Sequence, residues 1–215
     1  MHLKRQEAPK KWPIERKGTT YVVRPNFSLN DGMPLLFVLR NLLKKASNRR
    51  EVKMAIHKKQ ILVNGKIAKD EKNAVALFDV ISIIPSKEHY RVELSKMKKF
   101  ELKQIKESES HEKFLKIIGK KMLRGKKTQI NLSDGNNLLS DIKCNINDSI
   151  SLNFNSKKAE KCIPLRESAK VVIFDGKHIG ESGKVEKINQ AHKMAEINVE
   201  GKKVNVLIKQ IIAVE

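Results

Sequence analysis

The densest chemistry in this chain is a run of cations: Lys44, Lys45, Arg49, Arg50, Lys53, Lys58 and Lys59, interrupted only by Glu51. If the stretch is helical, residues 49, 53 and 57, or 50, 53 and 57, share a face, so several of these charges can point the same way. Guanidinium and ammonium groups without carboxylate partners suit phosphate, and arginine can grip it with a bidentate fork. The ordinary fate of a charge run is a solvated helix surface. The shortage of acids among these lysines favours RNA instead. Arg40, Lys66 and an N-terminal group of Lys4, Arg5, Lys10, Lys11 and Arg24 extend the candidate surface. Trp12 lies within that N-terminal group. It can either stack on a base or anchor the segment to its own domain, and a lone aromatic favours anchoring.

A second pattern, Gly176-Lys177-His178-Ile179-Gly180-Glu181-Ser182-Gly183-Lys184, imitates a nucleotide loop and fails the test. A P-loop requires glycine at 178 and Ser or Thr at 185, where His178 and Val185 stand. A dinucleotide fingerprint requires another spacing and a following helix. The segment reads as a loop whose glycines permit positive φ and let backbone amides approach phosphate or a protein neighbour. His57, His89, His111, His178 and His192 show neither metal-ligand spacing nor a nucleophile elbow, and Cys144 and Cys162 read as separate reduced thiols. Neither a cofactor nor a metal site nor catalysis is expected.

Composition agrees. Lys and Arg total 45 against 24 Asp and Glu, a formal net charge of +21. Such an excess implies a polyanionic partner whose counterions are released on binding. A membrane surface is the other candidate, but no dominant amphipathic basic helix accompanies the charge. Pro9, Lys10, Lys11 and Pro13 stand where an apolar leader would sit, and the longest apolar run, 33–39, is too short to span a bilayer. A cytoplasmic location is expected. Formal charge is +4 over residues 1–35, +7 over 36–94, +8 over 95–165 and +2 over 166–215. The last segment should therefore bind least by charge.

The elements that must position these cations follow from periodicity. The predicted fold class is multi-domain α+β. Residues 1–33, rich in proline and glycine, read as a basic extended arm that is disordered alone and ordered on RNA. Residues 34–94 form a two-helix and hairpin module. Leu35, Leu36, Leu39, Leu42 and Leu43 fall at helical spacing, a second helix over 48–58 buries Val52, Ala55 and Ile56, and Asn64-Gly65 joins two apolar runs. Asn-Gly there signals a hairpin, because both turn residues need positive φ. Another strand covers 79–84. Residues 95–166 form a β-rich centre in which 150–154 alternates as a half-buried strand; the state of 97–118 is left open. Residues 167–215 hold five short strands (171–174, 184–188, 195–199, 204–208, 211–214), consistent with a small closed barrel.

These segments, in this order, resemble the archaeal and eukaryotic ribosomal protein S-four-e family of the small subunit. The arm carries the likeness through His2-Leu3-Lys4-Arg5, Ala8-Pro9-Lys10, Trp12 and Arg24-Pro25. The module carries it through Pro34-Leu35-Leu36, Leu39-Arg40-Asn41, Arg50-Glu51-Val52-Lys53, Val63-Asn64-Gly65-Lys66 and Asp79-Val80-Ile81-Ser82-Ile83. Asn147-Asp148-Ser149-Ile150 matches in the centre, and Gly180 and Gly183 match a KOW module, an SH3-like barrel. The resemblance implies a non-enzymatic constituent of the small ribosomal subunit. Its partners would be small-subunit rRNA and neighbouring ribosomal proteins, with neither membrane nor small-molecule substrate. Lys177, His178, Gly180, Gly183 and Lys184 would be possible further contacts. Two rivals are a free translation or transcription factor and a relative of RNA-modifying enzymes.

Overall fold

Two compact units, Met1–His111 and Glu112–Glu215, make up the chain in a computed structural model that describes residues 2–125, 127–140, 142–156 and 158–214. The architecture is mostly β with few helices, and among the described residues no helix is long and apolar enough to cross a membrane.

In the first unit the arm is not extended. Strand β1 (Leu3–Lys4) pairs antiparallel with β2 (Tyr21–Val22), and Leu3 and Trp12 are buried in the same core as Leu36 and Phe37. The Trp12 ring stacks on Phe37 with centroids 6.3 Å apart, and its Nε1 donates to the Gly32 carbonyl at 3.1 Å. The amide of Phe100 donates to the carbonyl of Lys11 at 2.8 Å. The composition argument failed here because the arm needs no core of its own. One tryptophan and one leucine inserted into a neighbour's core supply the apolar burial.

Strand β3 (Gly32–Pro34) leads into helix α1 (Leu35–Phe37), which widens into a π-helical turn over Val38–Leu42. Leu35, Leu36, Val38 and Leu39 are all buried, whereas Leu42 and Leu43 are half-buried. Helix α2 (Arg49–His57) buries Val52 and Ile56. Its N-terminus is closed by Asn48, whose Oδ1 accepts from the amides of Arg50 and Glu51, while the Glu51 carboxylate accepts from the Ser47 amide. This reciprocal arrangement satisfies amides that a helix start would otherwise leave unpaired.

The expected hairpin follows. Strands β4 (Ile61–Val63) and β5 (Lys66–Ile67) are joined by Asn64 at φ 52° and Gly65 at φ 70°. Strand β6 (Ala74–Ala76) pairs with β3, and β7 (Val80–Ile83), β8 (Glu88–Leu94) and β9 (Phe100–Ile105) complete a five-stranded sheet in the order β5-β4-β7-β8-β9. The sheet therefore continues past residue 94, where a boundary was expected, because Val92 and Phe100 share one core. The undecided stretch 97–118 consists of β9, a 3-10 turn at Glu107–Glu109 and the start of the next strand.

In the second unit, β10 (Glu112–Met122), β11 (Thr128–Leu132), β12 (Asn137–Leu139), β13 (Ser149–Asn153) and β14 (Ala159–Ile163) form a sheet ordered β12-β11-β10-β13-β14. A bulge between Ile117 and Gly119 lets β10 pair with β13 through its first half and β11 through its second. The half-buried reading of 150–154 needs correction: Ser149 and Ser151 are 0% and 1% exposed, so both faces of β13 are covered. The hydroxyls are satisfied there, Ser149 Oγ accepting from the Ala213 amide and Ser151 Oγ donating to Glu112. Cys144 and Cys162, read from sequence as separate thiols, lie side by side with Cα atoms 6.1 Å apart. β14 carries Cys162 alongside Ile150 of β13, into the core where Cys144 lies.

Strands β15 (Lys170–Ile173), β16 (Ser182–Asn189), β17 (Met194–Val199), β18 (Lys202–Leu207) and β19 (Ile211–Ala213) form a second five-stranded antiparallel sheet ordered β18-β17-β16-β15-β19. Their core is separate from that of β10–β14. Lys116 joins the two sheets: its Nζ is buried and donates to the carbonyls of Ile208 and Ile211, the latter at 2.8 Å.

Two expectations follow. Trp12→Ala should destabilise the first unit by about 3–5 kcal/mol, read by chemical denaturation; a loss below about 1 kcal/mol would mean the arm is not anchored there. The second concerns Lys116. Its acceptors are carbonyls rather than a carboxylate, and burial lowers its pKa from 10.5 to about 8. Below pH 8 both states are protonated and the burial cost is fully present. Between about 8 and 10.5 the unfolded chain binds the extra proton, so stability rises with pH. Relative to Lys116→Met, the wild type should gain up to about 3 kcal/mol between pH 7.5 and pH 10. Parallel pH dependences of the two denaturation midpoints would contradict the assignment.

Candidate nucleic-acid interface

Helix α2 and the loops around it present most of the expected cations, but not all of them to solvent. Arg50, Lys53, Lys58 and Lys59 are exposed and have no side-chain partner among the described residues. Arg50 and Lys53 are three residues apart and so lie on one side of the helix. Lys44 and Lys59 each take a positive φ, 52° and 56°, at the connections before and after the helix. Lys66, beside the Asn64-Gly65 turn, is also exposed.

That turn is held rigid. Asn64 Nδ2 donates to Asp79 Oδ1 at 2.8 Å, Asn64 Oδ1 accepts from the Val80 amide at 2.9 Å, and Asp79 Oδ2 accepts from the Ala76 amide at 2.7 Å. A preorganised hairpin loses little conformational entropy when it meets a partner.

Two members of the cluster are committed to the fold. Arg49 reaches Glu71 through Nε and a terminal nitrogen, and the Glu71 side chain is only 2% exposed. Hydrogen bonding to Glu71 raises the Arg49 pKa above its usual value. Lys45 donates to Glu88 at 2.9 Å; that bond raises the lysine pKa and lowers the carboxyl pKa. Both acids lie far along the chain, so the local shortage of carboxylates hid them. Arg49 is thus a structural staple more than a free phosphate ligand.

The arm divides in the same way. Lys4, Lys10 and Arg24 are exposed and Lys11 is half-buried. Arg5 holds the arm's own loop, donating to the carbonyls of Thr19 at 2.7 Å and Glu15 at 2.8 Å. Trp12 is 2% exposed, which corrects its place among candidate RNA contacts: it anchors the arm. Arg40 is exposed and donates from Nε to Asn41.

In the second unit, Lys177 and Lys184 are exposed, but His178 Nδ1 lies 3.0 Å from Glu181. Gly180, at φ 84°, gives its amide to the Ile173 carbonyl. A Cβ on Gly183 would lie 2.2 Å from the Asn198 carbonyl oxygen. The glycines therefore serve turn geometry and close strand approach within the sheet, correcting the expectation of amides offered to phosphate. A further cationic feature was missed. The β10–β11 hairpin exposes Lys120, Lys121, Arg124 and Lys127 around Gly125. The acid-free run 119–127 was its signal, and that part of the chain lacked a firm element assignment.

Comparison with known proteins completes the picture. The RS4NT domain matches residues 1–27, the S4 domain residues 33–81, and Ribosomal family S4e residues 86–159. The chain is 38% identical over 197 residues to the small ribosomal subunit protein eS4 of Methanocella arvoryzae, covering 90% of this chain and 83% of that protein. The protein of the same name from Methanosphaera stadtmanae is 37% identical, with 89% and 82% covered. The crystal structure of the 30S ribosomal protein S4e from Thermoplasma acidophilum superposes with a TM-score of 0.73 at 22% identity. That superposition spans 86% of this chain and 95% of that one.

The two arginines of α2 should separate cleanly. Arg49→Ala strands the buried Glu71 carboxylate and should cost on the order of 2–3 kcal/mol of stability. Arg50→Ala should stay within about 0.5 kcal/mol of wild type. Equal denaturation midpoints for the two variants would show that the Arg49–Glu71 pair holds nothing together.

Proposed function

The chain belongs to the S4e family of ribosomal proteins, and we propose that it is a structural, non-catalytic constituent of the small ribosomal subunit that binds and stabilises small-subunit rRNA. On this reading it is cytoplasmic, and its neighbours are other small-subunit proteins. The observation that carries the proposal is the set Arg50, Lys53, Lys58 and Lys59 on and after α2, without side-chain partners among the described residues, followed in the chain by the clamped hairpin bearing Lys66. Uncompensated cations on a rigid support are what a phosphate backbone requires. The division into arm (1–33), S-four-like module (34–94), β-rich centre (95–166) and KOW-type, SH3-like barrel (167–215) is part of the proposal, with the module's sheet running on to Ile105. The last domain carries a formal net charge of only +1 and binds less by charge. Readings as a free factor or an RNA-modifying enzyme are disfavoured, because the relatives aligned across nine-tenths of the chain are small-subunit proteins.

Binding to a small-subunit rRNA fragment should be steeply salt-dependent. With roughly six to ten phosphate contacts, affinity should fall by about three to five orders of magnitude between 50 and 200 mM salt. Arg50→Ala with Lys53→Ala should weaken binding and flatten the logarithmic salt slope by about one unit per lost contact. Lys177→Ala with Lys184→Ala removes the same formal charge and should do less. A flat salt response, or a larger loss from the second pair, would contradict the placement of the RNA surface.

A further inference from the structure

Between the arm and the first helix of its own unit lies a cavity of about 690 Å³. Its walls have two characters. Arg5, Lys17, Arg24, Arg40, Arg49 and Lys72 supply six cations, against which Glu15 is the one carboxylate on the lining. Half-buried Ile14, Val22 and Val23 and the buried Trp12 and Phe37 supply an apolar side. At the mouth, Tyr21 is 56% exposed and meets His2 edge-on, with ring centroids 4.7 Å apart. Arg49 is neutralised by Glu71 and Arg5 is held by carbonyls of the arm, so contact falls to the other lining cations, Lys17, Arg24, Arg40 and Lys72.

We propose that this cleft is a subsite for an unpaired ribonucleotide of the bound RNA, its base laid against Tyr21 and the apolar wall and its phosphate held by Arg40 and Lys72. The inference rests on the rRNA-binding reading above and adds to it a second, chemically different contact. A duplex presents a convex ridge of phosphates and cannot enter a concavity of this size, which lies in the range of small-molecule pockets. A splayed nucleotide can, because it offers a flat π face and a phosphate a few ångströms apart. An acidic peptide would match the charge but leave the aromatic and apolar side without a partner.

Trp12 is the single tryptophan of the chain and lines the cleft, so its emission reports occupancy directly. The full-length protein is titrated with a single-stranded RNA of about eight nucleotides, with a duplex of the same length, and with polyglutamate. Binding to the rRNA fragment is followed separately by gel shift. The single strand should change Trp12 emission, and the duplex should bind without doing so. Tyr21→Ala and Lys72→Ala should each weaken single-strand binding roughly tenfold or more, Tyr21→Phe should retain it, and melting curves should show all three folded. A bound single strand that leaves Trp12 unchanged overturns the proposal. So does a Tyr21→Ala variant, folded and with wild-type affinity, or a Trp12 response to polyglutamate equal to that with RNA. If rRNA binding persists through these failures, the cleft alone is refuted; if wild-type protein binds no rRNA, the wider reading falls as well.

Discussion

Carboxylates are scarce in this chain, 24 against 45 cations, and the fold places several of them at its joints. Glu71, nearly inaccessible, fixes Arg49 and so ties helix α2 to the segment preceding β6. Asp79 binds Asn64 and the Ala76 amide and so locks the β4–β5 turn to β7. Asp148 accepts from the amides of Asn145 and Leu165, drawing together the two chain segments that flank β13 and β14. Charged acceptors in such places make stronger hydrogen bonds than neutral ones, and a buried carboxylate is tolerable only when it is fully partnered.

Turning acids inward leaves cations outward. Arg50, Lys53, Lys58, Lys59 and Lys66 form no ion pair among the described residues, and such a surface repels itself when the protein is alone. A polyanion relieves that repulsion on binding and releases its own condensed ions. The second unit departs from that division at two lysines of β10, Lys113, which is buried and donates to Asp134, and Lys116. The Lys116 ammonium is buried against carbonyls, joining two sheets at a cost in charge solvation that the surface lysines do not bear.

The local elements were legible because short-range rules set them. Asn64-Gly65 demanded positive φ at both residues and took it, and Val52 and Ile56 announced the buried side of α2. Partners distant in sequence were not legible. Arg49 seemed free because Glu71 lies twenty-two residues away, and Lys45 because Glu88 lies forty-three away. The arm read as unfolded for a related reason: its apolar residues are few, but the core they enter belongs to the module. Ser151 and Asn153 gave β13 an alternating pattern that mimics a solvated face, when Ser151 is buried and its hydroxyl is satisfied by Glu112. Charge density was readable from sequence; which charges remain available depends on tertiary pairing.

The most direct test is sedimentation of the tagged full-length protein from its own cells through a sucrose gradient, before and after a moderate salt wash. A constituent held by many phosphate contacts on a folded surface should travel with small subunits at about one copy each and stay there through the wash. Arg50→Ala combined with Lys53→Ala should leave the subunit at lower salt than wild type does. Recovery of the wild-type protein at the top of the gradient, free of small subunits before any wash, would contradict the account.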